Sequence, residues 1–270
     1  VVSKTPRVGS ESPTEIRPDS PPLEAPPLVL LYVIDAFRAD HLGSINIADE
    51  RTPGFATFVQ DAVVFEKALA QSSWTKPTVA SILTGQQPWT HGAQDAKDTL
   101  SADLDTLPER MRQIGYRTAA FSANGFISET FGFHHGFDHF MLMSDHDASA
   151  AELHGEAIDW LANQLDDPVF LYLHSIDPHT PYDPAEPFRS RFLSEPVDKE
   201  IGSVAHIEGM AQSRRQPEPA ELEAIRRLYS AEIAYADQQF SLLVDELKTM
   251  NLYDPSLIVV MSDHGEEFYE

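Results

Sequence analysis

Groups able to bind a metal or perform acid–base chemistry follow several apolar runs of the sequence. Asp35 follows LVLLYVI, Asn124 follows RTAAFSA, HSIDPH occupies positions 174–179, and Asp263 with His264 follows SLIVVMS. Carboxylate and imidazole groups together are suited to holding a divalent cation. A single Asp after an apolar run is about as often a helix cap or a turn residue. Because several run ends carry such groups, the sequence predicts a divalent cation site.

A second chemical feature is the stretch QSSWTKPTVASILTG, residues 71–85. Pro77 is favoured in the first turn of a helix and Gly85 at its end, so Thr75 is predicted at a helix N-terminus. Free N–H groups there favour an anion, and a hydroxyl beside a cation can lose its proton and attack an electrophile. Lys76 would add positive charge for the incoming group. The structural alternative is that Thr75 is an N-cap.

Alternating strands and helices have to position these residues. Continuous apolar runs at 28–35, 117–124, 169–177 and 256–265 are typical of strands buried on both faces of a parallel sheet. Helical patterns lie at 53–60, 77–83, 105–114, 150–165 and 219–249. The alternation predicts an α/β fold with a mainly parallel central sheet flanked by helices. Ligands of such sheets lie beyond the carboxyl ends of the strands, where the polar groups fall.

Two regions differ from this pattern in composition. Residues 1–27 are rich in Pro, Ser and Glu and are predicted to be a linker or tail, which leaves 28–270 as the folded domain. Residues 184–218 are rich in Pro, Ser and charge, and are interpreted as an excursion over the surface on the substrate side.

Composition narrows the classes of function. The formal net charge of the 270 residues is -24, from 43 acidic and 19 basic residues, which argues against nucleic acid or anionic lipid as a partner. The chain has no cysteine, which excludes disulfides and thiolate metal sites. No apolar run approaches the roughly 20 residues that span a bilayer. A start at Val1 without a signal peptide is typical of a processed or trimmed product.

Five segments, in order along the chain, resemble the sulfatase family of the alkaline phosphatase superfamily. They are LYVIDAFRADHLG, TPGFATFVQDAVVFEKALAQSSWTKPTVASILTG, HGFDHF, LHSIDPHTPYDP, and YSAEIAYADQQFSLLVDEL with SLIVVMSDHGEEF. Their shared order carries the resemblance, since DHG alone is a weak signal. It implies a three-layer sandwich with the central sheet between helices, and an enzyme that acts on sulfate or phosphate esters.

The resemblance also implies roles for individual residues. Asp35, Asp263 and His264 look like metal ligands, and Thr75 falls at the nucleophile position beside the metal. His179 in DPHTPY resembles the histidine that binds the anionic group of the substrate.

The sequence departs from the family pattern at four positions. Ala36 replaces the second metal-binding acid of many members, and Asn124 stands where many sulfatases have a lysine that contacts the nucleophile. Typical sulfatases carry C/S-x-P-S-R and convert its Cys or Ser to formylglycine, but Thr75 opens the segment TKPTV. Oxidised threonine would be a ketone, and Val79 replaces the supporting arginine, so no formylglycine is expected. A threonine nucleophile is similar to that of the phosphoethanolamine and phosphoglycerol transferases.

Two functions are compatible with these features. The first is a metal-dependent hydrolase or transferase of sulfate or phosphate esters, in which Thr75, His179, Lys76 and Asn124 act on the substrate. The second is a non-catalytic sulfatase-like module that binds an anionic glycan or a protein partner. The replacements at 36, 79 and 124 permit the second function.

The remaining expectations concern the cofactor and the setting. His264 as a ligand favours manganese or zinc, with calcium as the alternative. The expected substrate is a small anionic ester or a glycan- or lipid-linked one. The resemblance and the Pro-rich leader favour an extracytoplasmic protein, periplasmic or secreted, and leave an upstream membrane anchor open. Because family members continue beyond the equivalent of Glu270, the domain is expected to be incomplete at its C-terminus, with further site residues there.

Overall fold

The computed structural model of the protein describes residues 26–42, 51–143, 148–164, 166–193, 195, 197–213 and 215–269. Most of the predicted N-terminal tail therefore lies outside the described residues. Its last two prolines contact the domain, since the Pro26 carbonyl accepts a hydrogen bond from the Tyr116 hydroxyl and the Pro27 carbonyl accepts one from the Val169 N–H.

Five strands form one parallel sheet. They are β1 (Leu28–Ile34), β2 (Arg117–Ser122), β3 (His139–Leu142), β4 (Val169–Ser175) and β5 (Leu257–Ser262). Their order across the sheet is β3-β2-β4-β1-β5, and every neighbouring pair is parallel. The predicted α/β class and the four predicted strands are confirmed, while β3 has too few residues to stand out as an apolar run.

Eight α-helices lie in the described part of the chain. They are α1 (Pro53–Phe58), α2 (Thr75–Thr84), α3 (Pro88–His91), α4 (Leu107–Gln113), α5 (Ala150–Leu161), α6 (Phe188–Phe192), α7 (Val204–Ser213) and α8 (Pro219–Thr249). The presumed surface excursion at 184–218 contains α6 and α7, because Phe188 and Met210 are buried and hold these helices on the domain. Among the described helices, none combines the length and the apolar character needed to cross a membrane.

Helices cover both faces of the sheet. Leu30 and Tyr32 of β1 face a core shared with α5 and α8, whereas Leu31 and Val33 face a core shared with α2. This alternation follows from the two-residue period of a strand, and it produces the three-layer arrangement that the resemblance implied.

The strand register levels the carboxyl ends of the sheet. Ile34, the last residue of β1, pairs with Ser175 of β4 and with Ser262 of β5. Ser122, the last residue of β2, pairs with His174. The residues that follow these strand ends therefore meet at one edge, as expected for a parallel sheet.

Candidate active site

Two buried carboxylates stand side by side at this edge. Asp35 and Asp263 each follow the last residue of a strand, and both are fully buried. The Asp35 N–H donates to the Ser175 carbonyl at 3.0 Å, which continues the ladder between β1 and β4. Ala36 then adopts a left-handed conformation with φ of 54°, and its N–H donates to Asp263 Oδ1 at 3.1 Å. The loop after β1 thus holds the Asp263 carboxylate from its backbone.

Helix α8 fixes the loop that follows Asp35. The Tyr229 hydroxyl donates to the Ala36 carbonyl at 2.7 Å and accepts from the Arg38 N–H at 2.9 Å. The Arg38 guanidinium lies 2.6 Å from Asp40 and also donates to the Glu266 carbonyl at 2.9 Å. These contacts tie the β1 loop to the segment after β5.

His264 aims one ring nitrogen at the carboxylates. Its Nδ1 lies 2.7 Å from the Gly265 carbonyl. Because a carbonyl only accepts, Nδ1 carries the proton and neutral His264 has a lone pair on Nε2. That Nε2 lies 3.4 Å from Asp35 Oδ1 and 3.6 Å from Asp263 Oδ2. Three electron-pair donors therefore face one another.

One oxygen of each carboxylate lacks the hydrogen bond that a buried polar atom normally has. Asp35 Oδ1 and Asp263 Oδ2 are both buried and, among the described residues, have no hydrogen-bond partner. Leaving a charged group unpaired in the interior is costly unless it coordinates a metal. One ligand atom from each of Asp35, Asp263 and His264 lies within 4.8 Å of the others. Their chemistry and geometry fit a divalent cation.

The pKa values of the two carboxyl groups are shifted in opposite directions. Burial opposes ionisation of Asp35, but His174, His179 and His264 outweigh it and hold its pKa below the usual value. Burial, and then the charge of Asp35, raise the pKa of Asp263. One carboxylate thus keeps its charge at the expense of the other, as for like charges that share a site without a cation.

The Thr75 side chain lies close to Asp35 and to His264. It is the first residue of α2, and Trp74 is the N-cap. The Thr75 hydroxyl lies 3.3 Å from His264 Nε2 and 3.5 Å from Asp35 Oδ2. The capping alternative for Thr75 is therefore wrong, because its hydroxyl faces the carboxylates. Pro77 in the first turn and Gly85 as the C-cap, with φ of 67°, agree with the predicted helix.

Asn124 contacts Thr75, and His179 lines the same pocket. The Asn124 amide donates to Asp35 Oδ2 at 2.6 Å and approaches the Thr75 hydroxyl at 3.5 Å. His179 donates from Nδ1 to the Thr180 carbonyl at 2.8 Å, which leaves Nε2 for another partner. Burial opposes a charge on this ring, but Asp35, the Thr180 carbonyl, Glu266 and Asp263 together outweigh it and raise the pKa of His179. A protonated His179 is suited to binding an anion.

The Lys76 side chain points away from Thr75, toward the loop at 95–98. Its ammonium group donates to the carbonyls of Asp95, Ala96 and Asp98, at 2.7 Å for the shortest contact. It also lies 3.4 Å from the centroid of the Phe131 ring. The structure therefore brings Thr75, Asn124 and the three metal-competent residues together, but turns the Lys76 charge toward a neighbouring loop.

Two further residues of the family-like segments, Val79 and His174, are buried beside the site. Val79, at the place of the family's arginine, is buried in the core shared by α2 and the sheet. His174 is a fully buried strand histidine, with Nδ1 2.9 Å from the Tyr172 hydroxyl. Its Nε2 lies 3.7 Å from Asp35 Oδ2, so it contributes to the electrostatics of the site from behind.

A cleft of about 1200 Å³ opens over these residues. Its lining includes Thr75, Asn124, His179 and His264. The rest of the lining includes Trp74, Phe126, Val204, Glu208, Glu266 and Glu267. Sequence reasoning missed these wall residues. The available signals were that Trp74 precedes Thr75, that Phe126 follows a strand end, and that Glu266 and Glu267 follow DHG.

The chain is similar to several known proteins. A family model described as Sulfatase matches residues 27–270. The ulvan-active sulfatase of Formosa agariphila is 24% identical over 268 residues, which cover 89% of this chain and 50% of that protein. The phosphonate monoester hydrolase of Agrobacterium radiobacter superposes with a TM-score of 0.73 at 22% identity, over 90% of this chain and 63% of that one. The lipoteichoic acid synthase LtaP from Listeria monocytogenes superposes with a TM-score of 0.60 at 19% identity, over 88% of this chain and 56% of that one.

The solved structures, at these identities, establish the fold. The chain spans half the length of the ulvan-active sulfatase and less than two-thirds of both solved structures. What the whole protein does is therefore inferred from the site.

Proposed function

The chain belongs to the sulfatase family, and from this premise we propose that it is a metal-dependent hydrolase or transferase of sulfate or phosphate esters with Thr75 as nucleophile. One observation carries the proposal. Two buried carboxylate oxygens, on Asp35 and Asp263, have no hydrogen-bond partner among the described residues, and the Thr75 hydroxyl lies 3.5 Å from the Asp35 carboxylate.

The cofactor is one divalent cation held by Asp35, Asp263 and His264, with Thr75 beside it. A mixed carboxylate and imidazole set favours manganese or zinc, and calcium is the alternative. When bound, the cation supplies positive charge that lowers the pKa of a neighbouring hydroxyl and neutralises an oxygen of the ester. No formylglycine takes part, since threonine cannot yield its aldehyde.

The side chains divide the reaction between them. Thr75 Oγ1 forms a bond to sulfur or phosphorus as the bond to the leaving oxygen breaks, and the proton lost by Thr75 ends on the released alcohol. His179 binds the transferred anion through Nε2, and Asn124 donates to Asp35 and orients it toward Thr75. Water or an acceptor alcohol then cleaves the Thr75 ester and restores the hydroxyl.

The transferred group is sulfate or phosphate. Similarity to an ulvan-active sulfatase supports the first, and similarity to a phosphonate monoester hydrolase and to a lipoteichoic acid synthase supports phosphoryl chemistry. The substrate is a small anionic ester or a glycan- or lipid-linked one. The setting that we propose is extracytoplasmic, in line with the Pro-rich leader.

The intact mass of the full-length protein tests the mechanism. The protein is incubated with aryl sulfates and with aryl phosphate mono- and diesters, while manganese, zinc or calcium is supplied in turn. We expect a metal-dependent adduct on Thr75 whose mass identifies the transferred group, and no adduct on Thr75→Ala. Absence of both adduct and turnover would exclude the threonine mechanism and favour a non-catalytic module that binds an anionic glycan or a protein.

A further inference from the structure

Three loops carry the groups that the proposed function uses, and Glu266 contacts all of them. The loop after β1 carries Asp35, the loop after β4 carries His179, and the segment after β5 carries His264. Glu266 follows His264 by two residues, is half-buried and lines the cleft. Its side chain and its main chain bind different loops, so this residue joins parts of the chain that are distant in sequence.

The side chain of Glu266 binds the loop after β4. Its Oε2 accepts a hydrogen bond from the Tyr182 hydroxyl at 2.8 Å, and its Oε1 accepts one from the Glu267 N–H at 3.1 Å. Both carboxylate oxygens therefore have a partner. Burial raises the pKa of Tyr182 well above its usual value, so the phenol keeps its proton and is the donor to Glu266.

Tyr182 is itself held in place. It is buried, its N–H donates to the Gly202 carbonyl at 2.8 Å, and its ring packs edge-on against Tyr229 of α8 with the centroids 5.7 Å apart. It follows His179 by three residues in the segment HTPY. A carboxylate bound to the Tyr182 hydroxyl is therefore aligned with the loop that carries His179.

The main chain of Glu266 is bound by the loop after β1. Its carbonyl accepts a hydrogen bond from the Arg38 guanidinium at 2.9 Å. The Arg38 N–H donates to the Tyr229 hydroxyl, which donates to the Ala36 carbonyl. Hydrogen bonds thus connect the loop of His179, through Glu266, with the turn that follows the first metal-competent carboxylate.

We propose that Glu266 is a positioning residue that, through Tyr182, fixes the anion-binding His179 relative to the cation site. The inference rests on the proposed function. The ester anion has to contact the cation and the histidine at the same time, and their loops are separate. Because small displacements of positioned groups are costly in catalysis, the Tyr182–Glu266 contact acts on anion binding and on turnover. Loss of this contact leaves the main-chain contacts of Glu266 in place, so cation binding should be preserved.

Tyr182→Phe tests the contact because it removes the hydroxyl and keeps the ring. We use the full-length protein, aryl sulfates and aryl phosphates, with manganese, zinc or calcium supplied in turn. We expect kcat/KM to fall about tenfold, which is the lower end for partners that orient a site residue. The inhibition constant of inorganic phosphate should rise about fivefold, as for the loss of one hydrogen bond. Calorimetric affinity for the cation alone should change by less than about twofold.

Two further variants separate positioning from a general loss of stability. Tyr116→Phe is the matched control, because Tyr116 is also buried, its hydroxyl donates to the Pro26 carbonyl at 3.0 Å, and it lies outside the cleft lining. It should leave turnover and phosphate inhibition unchanged. Glu266→Ala combined with Tyr182→Phe should be no worse than Glu266→Ala alone, since both changes break the same contact.

The outcomes distinguish a failure of this proposal from a failure of the proposed function. If the native protein is active and Tyr182→Phe matches it, or if Tyr116→Phe loses as much activity, the positioning role is wrong and the proposed function stands. If the native protein turns over no ester, the proposed function fails, and calorimetric binding of inorganic phosphate with the cation present decides the positioning role. Weaker binding by Tyr182→Phe alone supports it, whereas equal binding, or no binding by the native protein, overturns it.

Discussion

Two sets of buried carboxylates in this protein differ in whether their oxygens are paired. Asp237 on α8 accepts from the N–H groups of Gly54 and Phe55, at 2.8 and 2.7 Å, and so holds the first turn of α1. Asp35 and Asp263 are just as buried, yet each has an oxygen with no hydrogen-bond partner in the described structure. The three carboxylates are similarly buried, but both oxygens of Asp237 accept a hydrogen bond, whereas Asp35 and Asp263 each have one oxygen that does not.

The comparison separates structural charges from ligand-binding ones. Asp237 stabilises backbone N–H groups that a short helix leaves free. Asp35 and Asp263 repel each other, which is a cost that the fold bears without a cation. The unpaired carboxylate oxygens distinguish Asp35 and Asp263 from Asp237 better than burial or a raised pKa does, since burial also raises the pKa of Asp237, to about 6.

The largest expected effect comes from Asp263→Asn. The amide keeps the oxygen that accepts from Ala36 and His264, and it removes a buried charge beside Asp35. Turnover should fall by at least about a hundredfold, beyond the loss typical of an outer partner of a metal. In chelator, the variant should melt at a higher temperature than the native protein. A lower melting temperature in chelator, or full turnover, would break the comparison.

A fourth buried acid, Glu232 on α8, sharpens the comparison through the pH dependence of stability. Burial, followed by the charge of Asp177, raises the pKa of Glu232 from 4.5 to about 8. The folded state therefore keeps this proton while the unfolded state loses it, and this group lowers the free energy of unfolding as pH rises from 4.5 to about 8.

Glu232→Gln should remove this pH dependence. At pH values near 8 we expect about 2 kcal/mol or more of added stability relative to the native protein, and little difference near the lower end of the range. Calorimetric melting at both ends of the range measures this, with Glu246→Gln as the exposed control. An unchanged slope in the variant would mean that Glu232 is ionised in the folded protein.

Lys76→Met tests a buried charge that is fully paired. The substitution leaves the carbonyls of Asp95, Ala96 and Asp98 without their donor, so the free energy of unfolding should fall by about 2 kcal/mol. Among molecules that remain folded, kcat should change by less than about threefold, since the ammonium group faces away from the cleft. A large loss of kcat at an unchanged melting temperature would instead return Lys76 to the catalytic group.

The smallest effect is expected at Asp237 itself. Asp237→Ala removes both acceptors from the start of α1 and should cost about 1 kcal/mol, measured by urea unfolding. Asp237→Asn keeps one acceptor and should cost less. The Asp237 variants should therefore lose stability, whereas Asp263→Asn in chelator should gain it. An Asp237 variant that is more stable than the native protein would contradict the comparison.

Much of the site was predictable because strand ends are visible in sequence. The runs before Asp35, Asn124 and Asp263 predicted parallel strands, and parallel strands end at one edge. The apolar runs therefore predicted that Asp35, Asn124 and Asp263 lie close together. The resemblance to a family added the nucleophile role of Thr75, since residue type alone favoured a helix cap.

Other features were decided by packing. Lys76 and Thr75 are adjacent in sequence, yet their side chains leave the first turn of α2 in different directions, because successive helical residues lie about 100° apart. Composition at 184–218 predicted an irregular segment, whereas the burial of Phe188 and Met210 holds two helices there and brings Glu208 to the cleft.

The sequence by itself determined which groups end the strands, the α/β class, and the set of donors that can hold a cation. Only the tertiary structure decided which carboxylate oxygens have no hydrogen-bond partner among the described residues and which charges line the cleft. The reason is that residue periodicity is a local property of the chain. Contacts between distant parts of the chain decide how Asp35, Asp263 and His264 meet. They also bring α7 and the segment after β5 to the same cleft.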